Sequence, residues 1–180
     1  MIIGLTGSYC AGKGELAAYL VKKGFQYFSL SDEIRLILRE RNITESREAM
    51  IAVGNELRSK NGPGYFAGVV ARKIKGNAVV DSIRNPAEVD VLRKQSGFFL
   101  VAVDAPIELR YKRSVSRARS GDVRSFEEFL ANEKKEMSSD PSKQQLHLVI
   151  GMADENLIND SALKAMYKKI DELVKKHGKA

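Results

Sequence analysis

Short apolar runs alternate along the chain with longer segments in which apolar residues recur every three or four positions. The runs predict strands, at residues 2–6, 25–30, 78–81, 98–103 and 156–159. The spaced segments predict helices, which begin near residues 15, 32, 46, 65, 86, 106 and 162, with further helical spacing inside 121–142. Strands separated by helices are typical of a parallel sheet with helices on both faces, so an α/β fold is predicted.

One connection in this alternating order is unusually long. Ser31 is predicted to cap a helix that begins at Asp32, because a small polar side chain here precedes a stretch with helical spacing. Further helices follow before the next strand, which makes 32–75 too long for a simple crossover. We therefore expect residues 32–75 to form a helical insertion that makes one wall of a second pocket.

The length of 180 residues predicts one domain with a substantial core. The element order divides it into three parts. The core is expected at 1–31, 76–109 and 143–180, the insertion at 32–75, and a polar lid region at 110–142.

Composition excludes several classes of protein. The single cysteine, Cys10, rules out an internal disulfide and suits a reducing compartment. The longest clean apolar run, 98–103, is too short to cross a bilayer, and the chain opens on a strand rather than on a leader segment. We expect a cytoplasmic protein with no membrane partner.

The charge is basic, with 30 Lys and Arg against 23 Asp and Glu, a net charge of +7. Such a balance suits either nucleic acid or small anionic ligands. The basic residues concentrate in one stretch of ten positions: Arg110, Lys112, Arg113, Arg117 and Arg119. The aromatic residues nearby form no stacking stripe, so the pattern favours a phosphate clamp over a nucleic-acid surface.

The strongest motif follows the first strand. Residues 7–13 fit G-x-x-x-x-G-K, between a predicted strand and a predicted helix. Backbone N–H groups of such a loop and the helix N-terminus bind polyphosphate, and Lys13 would reach the terminal phosphates. The loop predicts ATP as the bound cofactor. Its expected contacts are Gly7, Ser8, Tyr9, Cys10, Ala11, Gly12, Lys13, Gly14 and Glu15.

The motif departs from its usual form at Gly14, where a Ser or Thr hydroxyl commonly helps to hold Mg²⁺. Glu15 would hold Mg²⁺ through water, or it is an acidic residue that the helix dipole favours in a first turn. Asp81 ends a buried strand beside the loop and is the second candidate for the metal. If neither carboxylate places the metal, the protein would bind nucleotide with little turnover.

The order of these parts resembles the nucleoside monophosphate kinase group of P-loop proteins, over nearly the full chain. Ser31-Asp32-x-x-Arg35, the stretch from Asp81 to Val89, the stretch 101–106 and Arg110-Tyr-Lys-Arg113 are similar to small adenylate kinase-related and dephospho-coenzyme A kinase-related proteins. They also resemble the P-loop segment of some deoxycytidylate deaminases. The resemblance implies a three-layer α/β/α P-loop fold with about five parallel strands.

The resemblance also implies roles for residues outside the loop. Arg84 would contact the phosphate of the acceptor, and Asp32 and Arg35 would lie at the acceptor site. Asp32 would act as a base only for an alcohol acceptor. Arg113 and Arg117, spaced four residues apart, would act with Arg110 as lid arginines that stabilise charge during transfer.

The predicted function is transfer of the γ-phosphoryl group of ATP, with Mg²⁺, to a phosphate-bearing small molecule. The predicted catalytic residues are Lys13, Arg113, Arg117, Asp81 and Asp32. A nucleoside monophosphate is the first candidate acceptor and dephospho-coenzyme A the second, while a nucleotide-sensing module is the alternative class. The sequence leaves open the acceptor, ATP or GTP as donor, and a monomer or a homodimer.

Overall fold

The computed structural model describes residues 1–117 and 125–178. Its centre is a sheet of five parallel strands in the order β2-β3-β1-β4-β5. The strands are β1 Ile2–Thr6, β2 Gln26–Ser29, β3 Ala78–Asp81, β4 Phe98–Asp104 and β5 Glu155–Ile158. The predicted three-layer α/β/α fold is confirmed, and each predicted strand lies within a residue or two of its expected position.

Helices cover both faces of this sheet. They are α1 Lys13–Lys22, α2 Leu30–Glu40, α3 Arg47–Asn61, α4 Tyr65–Ala71, α5 Pro86–Leu92, α6 Ile107–Arg117, α7 Phe126–Lys135, α8 Leu146–Gly151 and α9 Leu163–His177. None of the helices within the described ranges is long and apolar enough to cross a membrane.

The alternation of side chains along each strand creates two hydrophobic cores. In β3, Val80 packs with α2, α3, α4 and α5, whereas its neighbour Val79 packs with α1 and α9 on the opposite face. Because successive side chains of a strand point to opposite faces, strands this deeply buried must be apolar at consecutive positions. This explains why the inner strands β1, β3 and β4 appear in the sequence as continuous apolar runs.

The start of α2 differs from the prediction. Ser31 does not cap the helix, which begins at Leu30 with Ser29 in extended conformation before it. Leu30 is buried and shares a core with Ile34 and Leu38. The apolar stripe of the helix thus extends one turn further back than the sequence analysis placed it, and its packing decides where the helix starts.

Two other helix starts follow from capping. The Ser46 side chain accepts a hydrogen bond of 3.1 Å from the backbone of Ala49, so α3 begins close to the predicted position. Asn85 and Glu88 form a capping box at α5, with Pro86 in the first turn.

The short helix α8 was not predicted. Residues 118–124, including Arg119 of the basic stretch, lie outside the described residues, and the division into core, insertion and lid stays a prediction.

Candidate functional site

The carboxyl ends of the parallel strands open onto a cavity of about 1320 Å³. Ser29 and Asp81 line it at the ends of β2 and β3, and Asn159 lines it immediately after β5. The loop between β1 and α1 forms the floor, and residues of α2, α3, α6 and α7 form the walls. Open parallel sheets bind their ligands at this edge.

The loop before α1 takes its shape from two close approaches of the backbone. Gly7 and Gly12 have φ of 118° and 108°, in the region that favours glycine. A Cβ atom on Gly7 would overlap the carbonyl oxygen of Val103, and one on Gly12 would overlap the amide of Asn159. The Asn159 side chain donates a hydrogen bond of 2.8 Å to the Ala11 carbonyl. The end of β5 therefore holds the loop in place, a contact that the sequence analysis did not anticipate.

Lys13 folds back onto this loop. Its ammonium group donates hydrogen bonds of 2.6 Å to the Gly7 carbonyl and 2.8 Å to the Ser8 carbonyl. Burial lowers the pKa of Lys13 below its ordinary value, and the nearby carboxylate of Asp81 opposes that shift. The cation thus stands at the centre of the loop, where a polyphosphate would take the place of the two carbonyl groups.

Two carboxylates are available for a metal beside the loop. Asp81 is 9 % exposed, and its Oδ1 accepts a hydrogen bond of 2.6 Å from the backbone of Ser82. Glu15 is exposed and also lines the cavity. Gly14 supplies no hydroxyl, and no heavy atom lies within 4 Å of where its Cβ would be. Within the described residues no cluster of three metal-ligating side chains occurs. Two carboxylates suit Mg²⁺, which keeps several waters and takes its other ligands from phosphate oxygens.

The turn after β3 carries both a strained residue and a candidate phosphate ligand. Ser82 has φ of 68°, a conformation that L residues rarely adopt and that is concentrated at functional sites. Arg84, two residues on, lines the cavity with its side chain about a quarter exposed. The predicted neighbours Asp81 and Arg84 are therefore brought to one side of the cavity.

A buried ion pair holds this turn against the insertion. The Arg58 guanidinium donates to Glu88 Oε1 at 3.0 and 3.1 Å, and the two side chains are only 3 % and 0 % exposed. The other oxygen of Glu88 accepts hydrogen bonds from the backbone N–H groups of Arg84 and Asn85, at 2.8 and 3.1 Å. Glu88 thus fixes the backbone of Arg84 and links it to α3. Sequence spacing did not single out either member of the pair.

A second acidic group joins three parts of the cavity wall. Glu136 follows α7 and is 5 % exposed, and its Oε1 accepts a hydrogen bond of 2.9 Å from Arg47 at the start of α3. Its Oε2 lies 3.8 Å from Nε of Arg84. One carboxylate therefore sits between two arginines that line the cavity. Sequence analysis missed Arg47 and Glu136, because residues 89 positions apart carry no local signal of pairing.

The arginines of α6 divide into two groups. Arg113 and Arg117 line the cavity, with Arg113 donating to the Asn159 carbonyl at 3.1 Å and Arg117 to the Tyr9 hydroxyl at 2.6 Å. Arg110, expected beside them, is buried instead and forms an ion pair with Glu133 of α7. It therefore binds α6 to α7 and does not extend the row of guanidinium groups at the cavity.

The two predicted acceptor-site residues at the start of α2, Asp32 and Arg35, differ in whether they line the cavity. Arg35 lines the cavity and forms ion pairs with Asp32 and Glu45, at 2.7 and 2.8 Å. Asp32 is half exposed and does not lie among the residues that line the cavity. Arg35 therefore lines the site, whereas Asp32 only pairs with it.

A phosphate-binding loop, a parallel sheet in this strand order and a cavity lined by arginines define the P-loop kinase fold. Two solved structures of shikimate kinases share this fold. Shikimate kinase from Bacteroides thetaiotaomicron superposes with a TM-score of 0.60 at 14% identity, over 97% of this chain and 98% of that one. Shikimate kinase from Acinetobacter baumannii, in complex with shikimate, gives 0.59 at 19% identity, over 97% and 93%. At these identities the likeness concerns the fold alone.

No family model matches the chain. A UPF0200 protein of Pyrococcus abyssi is 33% identical over an alignment of 185 positions, which covers 98% of this chain and 96% of that protein. A UPF0200 protein of Sulfurisphaera tokodaii is 32% identical over 179 residues, or 97% and 96%. The chain therefore belongs to the UPF0200 family. The finer resemblance to nucleoside monophosphate kinases stays a prediction.

Proposed function

We propose that the protein is a P-loop kinase that transfers the γ-phosphoryl group of ATP to a phosphate-bearing small molecule, with a nucleoside monophosphate as the first candidate. The observation that carries this proposal is a single cavity in which the loop of Lys13 faces two sets of arginines. Arg113 and Arg117 come from α6, and Arg35, Arg47 and Arg84 come from α2, α3 and the turn after β3.

The two sets suit two phosphate-bearing ligands. The loop of residues 7–15 would bind the polyphosphate of ATP, with Arg113 and Arg117 reaching its terminal group. Arg84 and Arg35 would hold the phosphate of the acceptor at the insertion, residues 32–75. We propose that the insertion and the region 110–142 act as the acceptor-binding part and the lid, which together exclude water from the reacting groups.

The chemistry asks for positioning and charge stabilisation more than for a base. An oxygen of the acceptor phosphate forms a bond to the γ-phosphorus, while the bond to the bridging β–γ oxygen breaks and ADP leaves with that oxygen. Lys13 would exchange its two carbonyl partners for phosphate oxygens and stabilise the charge that develops there. Mg²⁺ bound near Asp81 and Glu15 would neutralise charge on the β- and γ-phosphates.

The position of Asp32 bears on the choice between the two candidate acceptors, a nucleoside monophosphate and dephospho-coenzyme A. An alcohol, as in dephospho-coenzyme A, must lose a proton to a base near the reacting atoms. Asp32 is engaged by Arg35 and lies outside the cavity lining, whereas an ionised phosphate needs no base. The geometry therefore supports a phosphate acceptor better than an alcohol.

Lys13→Ala tests the donor site. We expect the variant to lose ATP binding and ATP-dependent ADP release, because the loop loses the one cation held at its centre. Thermal shift with ATP and Mg²⁺ measures binding, and an ADP-release assay with nucleoside monophosphates measures turnover. Lys22→Ala, which removes a charge from the same helix away from the cavity, is the matched control. Unchanged ATP affinity and activity in Lys13→Ala would refute the assignment.

The alternative of a nucleotide sensor draws its support from Gly14, which leaves the loop without a hydroxyl for the metal. The same assay separates the two functions. Tight ATP binding together with no acceptor-dependent ADP release would identify a sensor, whereas ADP release that rises with added acceptor would identify a kinase.

A further inference from the structure

Gly14 leaves the loop without the hydroxyl that commonly helps to hold Mg²⁺, but two serine hydroxyl groups lie at the same edge of the sheet. Ser29 is the last residue of β2 and pairs in register with Asp81, the last residue of β3. Ser82 follows Asp81 directly, and all three residues line the cavity. The strand ends therefore offer the kind of group that the loop lacks.

The two hydroxyl groups meet because the backbone of Ser82 departs from the strand. Successive side chains of a regular strand point to opposite faces, so a continued β3 would direct Ser82 away from the face that Asp81 and Ser29 share. The φ of 68° at Ser82 breaks this alternation, and the Ser29 hydroxyl donates to Ser82 Oγ over 3.3 Å. The strained conformation thus keeps both hydroxyl groups beside the carboxylate.

One oxygen of the Asp81 carboxylate is open to the cavity. Its Oδ1 accepts the hydrogen bond of 2.6 Å from the Ser82 backbone, whereas no hydrogen bond or ion pair to Oδ2 occurs within the described residues. The residue is only 9 % exposed, yet this oxygen is accessible. It differs in this from the four unpaired side-chain oxygens that the described chain seals in its interior, which are Asn55 Oδ1, Ser114 Oγ, Gln144 Oε1 and Asn159 Oδ1.

The carboxylate also lies close to the phosphate-binding cation. After burial, Asp81 has the largest effect on the pKa of Lys13, and it raises that pKa. A ligand that meets the open oxygen would therefore also meet the terminal phosphates that Lys13 is expected to reach.

The chemistry of these groups selects the class of ligand. A carboxylate with an open oxygen repels a phosphate and attracts a cation. Carboxylate and hydroxyl oxygens are hard ligands, which Mg²⁺ prefers over nitrogen and sulfur. Three protein oxygens also leave room for the waters and phosphate oxygens that Mg²⁺ retains.

We propose that Ser29 and Ser82 hold Mg²⁺ together with Asp81 and so replace the hydroxyl that is absent at Gly14. The metal would bind there with the nucleotide, whose phosphate oxygens supply further ligands. The inference rests on the proposed kinase function and deepens it, because it gives the protein a way to place the metal without a hydroxyl in the loop. The sequence motifs predict no metal contact for either serine.

The test measures how strongly Mg²⁺ and nucleotide support each other's binding on the full-length protein. Isothermal titration gives the ADP affinity in excess Mg²⁺ and again in EDTA, and the ratio of the two affinities is the gain that the metal confers. We expect a gain of about tenfold or more for the wild type, which is within the usual range of coupling between two ligands.

Ser29→Ala removes one hydroxyl and Ser82→Gly removes the other. We expect each variant to lose most of this gain, as happens when a residue that supports a metal is removed, while its ADP affinity in EDTA stays at the wild-type value. Ser82→Gly should unfold at the same or a higher urea concentration than the wild type, because glycine adopts a φ of 68° without strain. It keeps the test available if Ser29→Ala folds poorly.

Ser161→Ala is the matched control. It removes an exposed hydroxyl that lines the same cavity after β5, at the opposite edge of the sheet from β2. We expect this variant to keep the full gain in ADP affinity from Mg²⁺.

The outcomes separate this inference from the function on which it rests. Loss of the gain at unchanged ADP affinity in EDTA supports the role of the two serines. A full gain in both variants overturns that role and leaves the kinase proposal standing. An equal loss of ADP affinity with and without the metal also overturns it, because the serines would then shape the loop. A wild type that binds neither ADP nor ATP overturns both proposals.

Discussion

Gly12 and Gly14 stand two residues apart in the loop, yet their surroundings differ sharply. Gly12 has φ of 108° and lies against the amide of Asn159, whereas the space around Gly14 is open. A side chain at Gly12 must therefore strain the backbone and displace Asn159. A side chain at Gly14 meets nothing and sits in the first turn of a helix.

We expect Gly12→Ala to lower the free energy of unfolding by about 1–2 kcal/mol or more, because an L residue at positive φ costs roughly that amount before any overlap is counted. ATP affinity should fall with it. Gly14→Ala, the matched control, should be as stable as the wild type or up to about 1 kcal/mol more stable. Chemical denaturation measures the free energy of unfolding of the two variants, and titration with ATP measures their affinity. Equal losses in the two variants would contradict this account of the loop.

The sequence pointed to these loop residues because their spacing, G-x-x-x-x-G-K between a strand and a helix, is a local pattern. It also selected Asp81, Arg84, Arg113 and Arg117, and the structure places all four on the cavity. Residues whose importance comes from a distant contact were missed. Asn159 meets the loop across 148 positions of sequence, and Ser29 meets Ser82 across 53.

At the scale of elements, the pair Arg58–Glu88 links α3 to the turn after β3. A buried pair is weak evidence of stability by itself, but removing one partner leaves an uncompensated charge in the interior. The effect should be large here, since Glu88 also holds two backbone N–H groups of that turn.

We expect Arg58→Met to lower the free energy of unfolding by about 3–5 kcal/mol. The double variant Arg58→Met with Glu88→Gln should recover part of that loss, because the amide carries no charge and can still accept from the backbone. Arg93→Met breaks the exposed contact with Asp154 and should cost no more than about 1 kcal/mol. Urea denaturation measures the free energy of unfolding of the three variants and so ranks their losses. A loss in Arg58→Met as small as that in Arg93→Met would argue against the link.

Sequence patterns located the elements more reliably than their ends. The inner strands β1, β3 and β4 were recognisable because burial on both faces leaves continuous apolar runs, whereas the edge strands β2 and β5 are partly exposed. The cap at Ser31 was predicted wrongly, since the choice between Ser29 and Ser31 depends on whether Leu30 finds a place in the core. The six-residue helix α8 has too few turns for its spacing to stand out.

At the scale of the whole molecule, Glu136 connects the end of α7, the start of α3 and Arg84 through one carboxylate. Its negative charge stands between Arg47 and Arg84, and the proposed function assigns Arg84 to the phosphate of the acceptor. An incoming phosphate would therefore compete with Glu136 for the guanidinium group of Arg84.

We expect Glu136→Gln to bind nucleoside monophosphates and inorganic phosphate more tightly, by several-fold, because the competing charge is gone. Its free energy of unfolding should fall, since Arg47 loses its buried partner. Glu127→Gln, an exposed change on the same helix, is the control. Isothermal titration at fixed ionic strength gives the affinities. Weaker phosphate binding in Glu136→Gln would show that the carboxylate supports the acceptor site and does not compete for it.

The central position of β1 has a consequence for how the protein is made. β1 pairs with β3 and β4, and the loop that follows it is held by Asn159. The loop of residues 7–13 is therefore synthesised early, but its contact with Asn159 forms late, when nearly the whole chain has left the ribosome. Under the proposed function, a nascent chain that stops before Asn159 would gain little stability from ATP. Nucleotide binding would then stabilise full-length molecules and leave truncated ones to proteolysis.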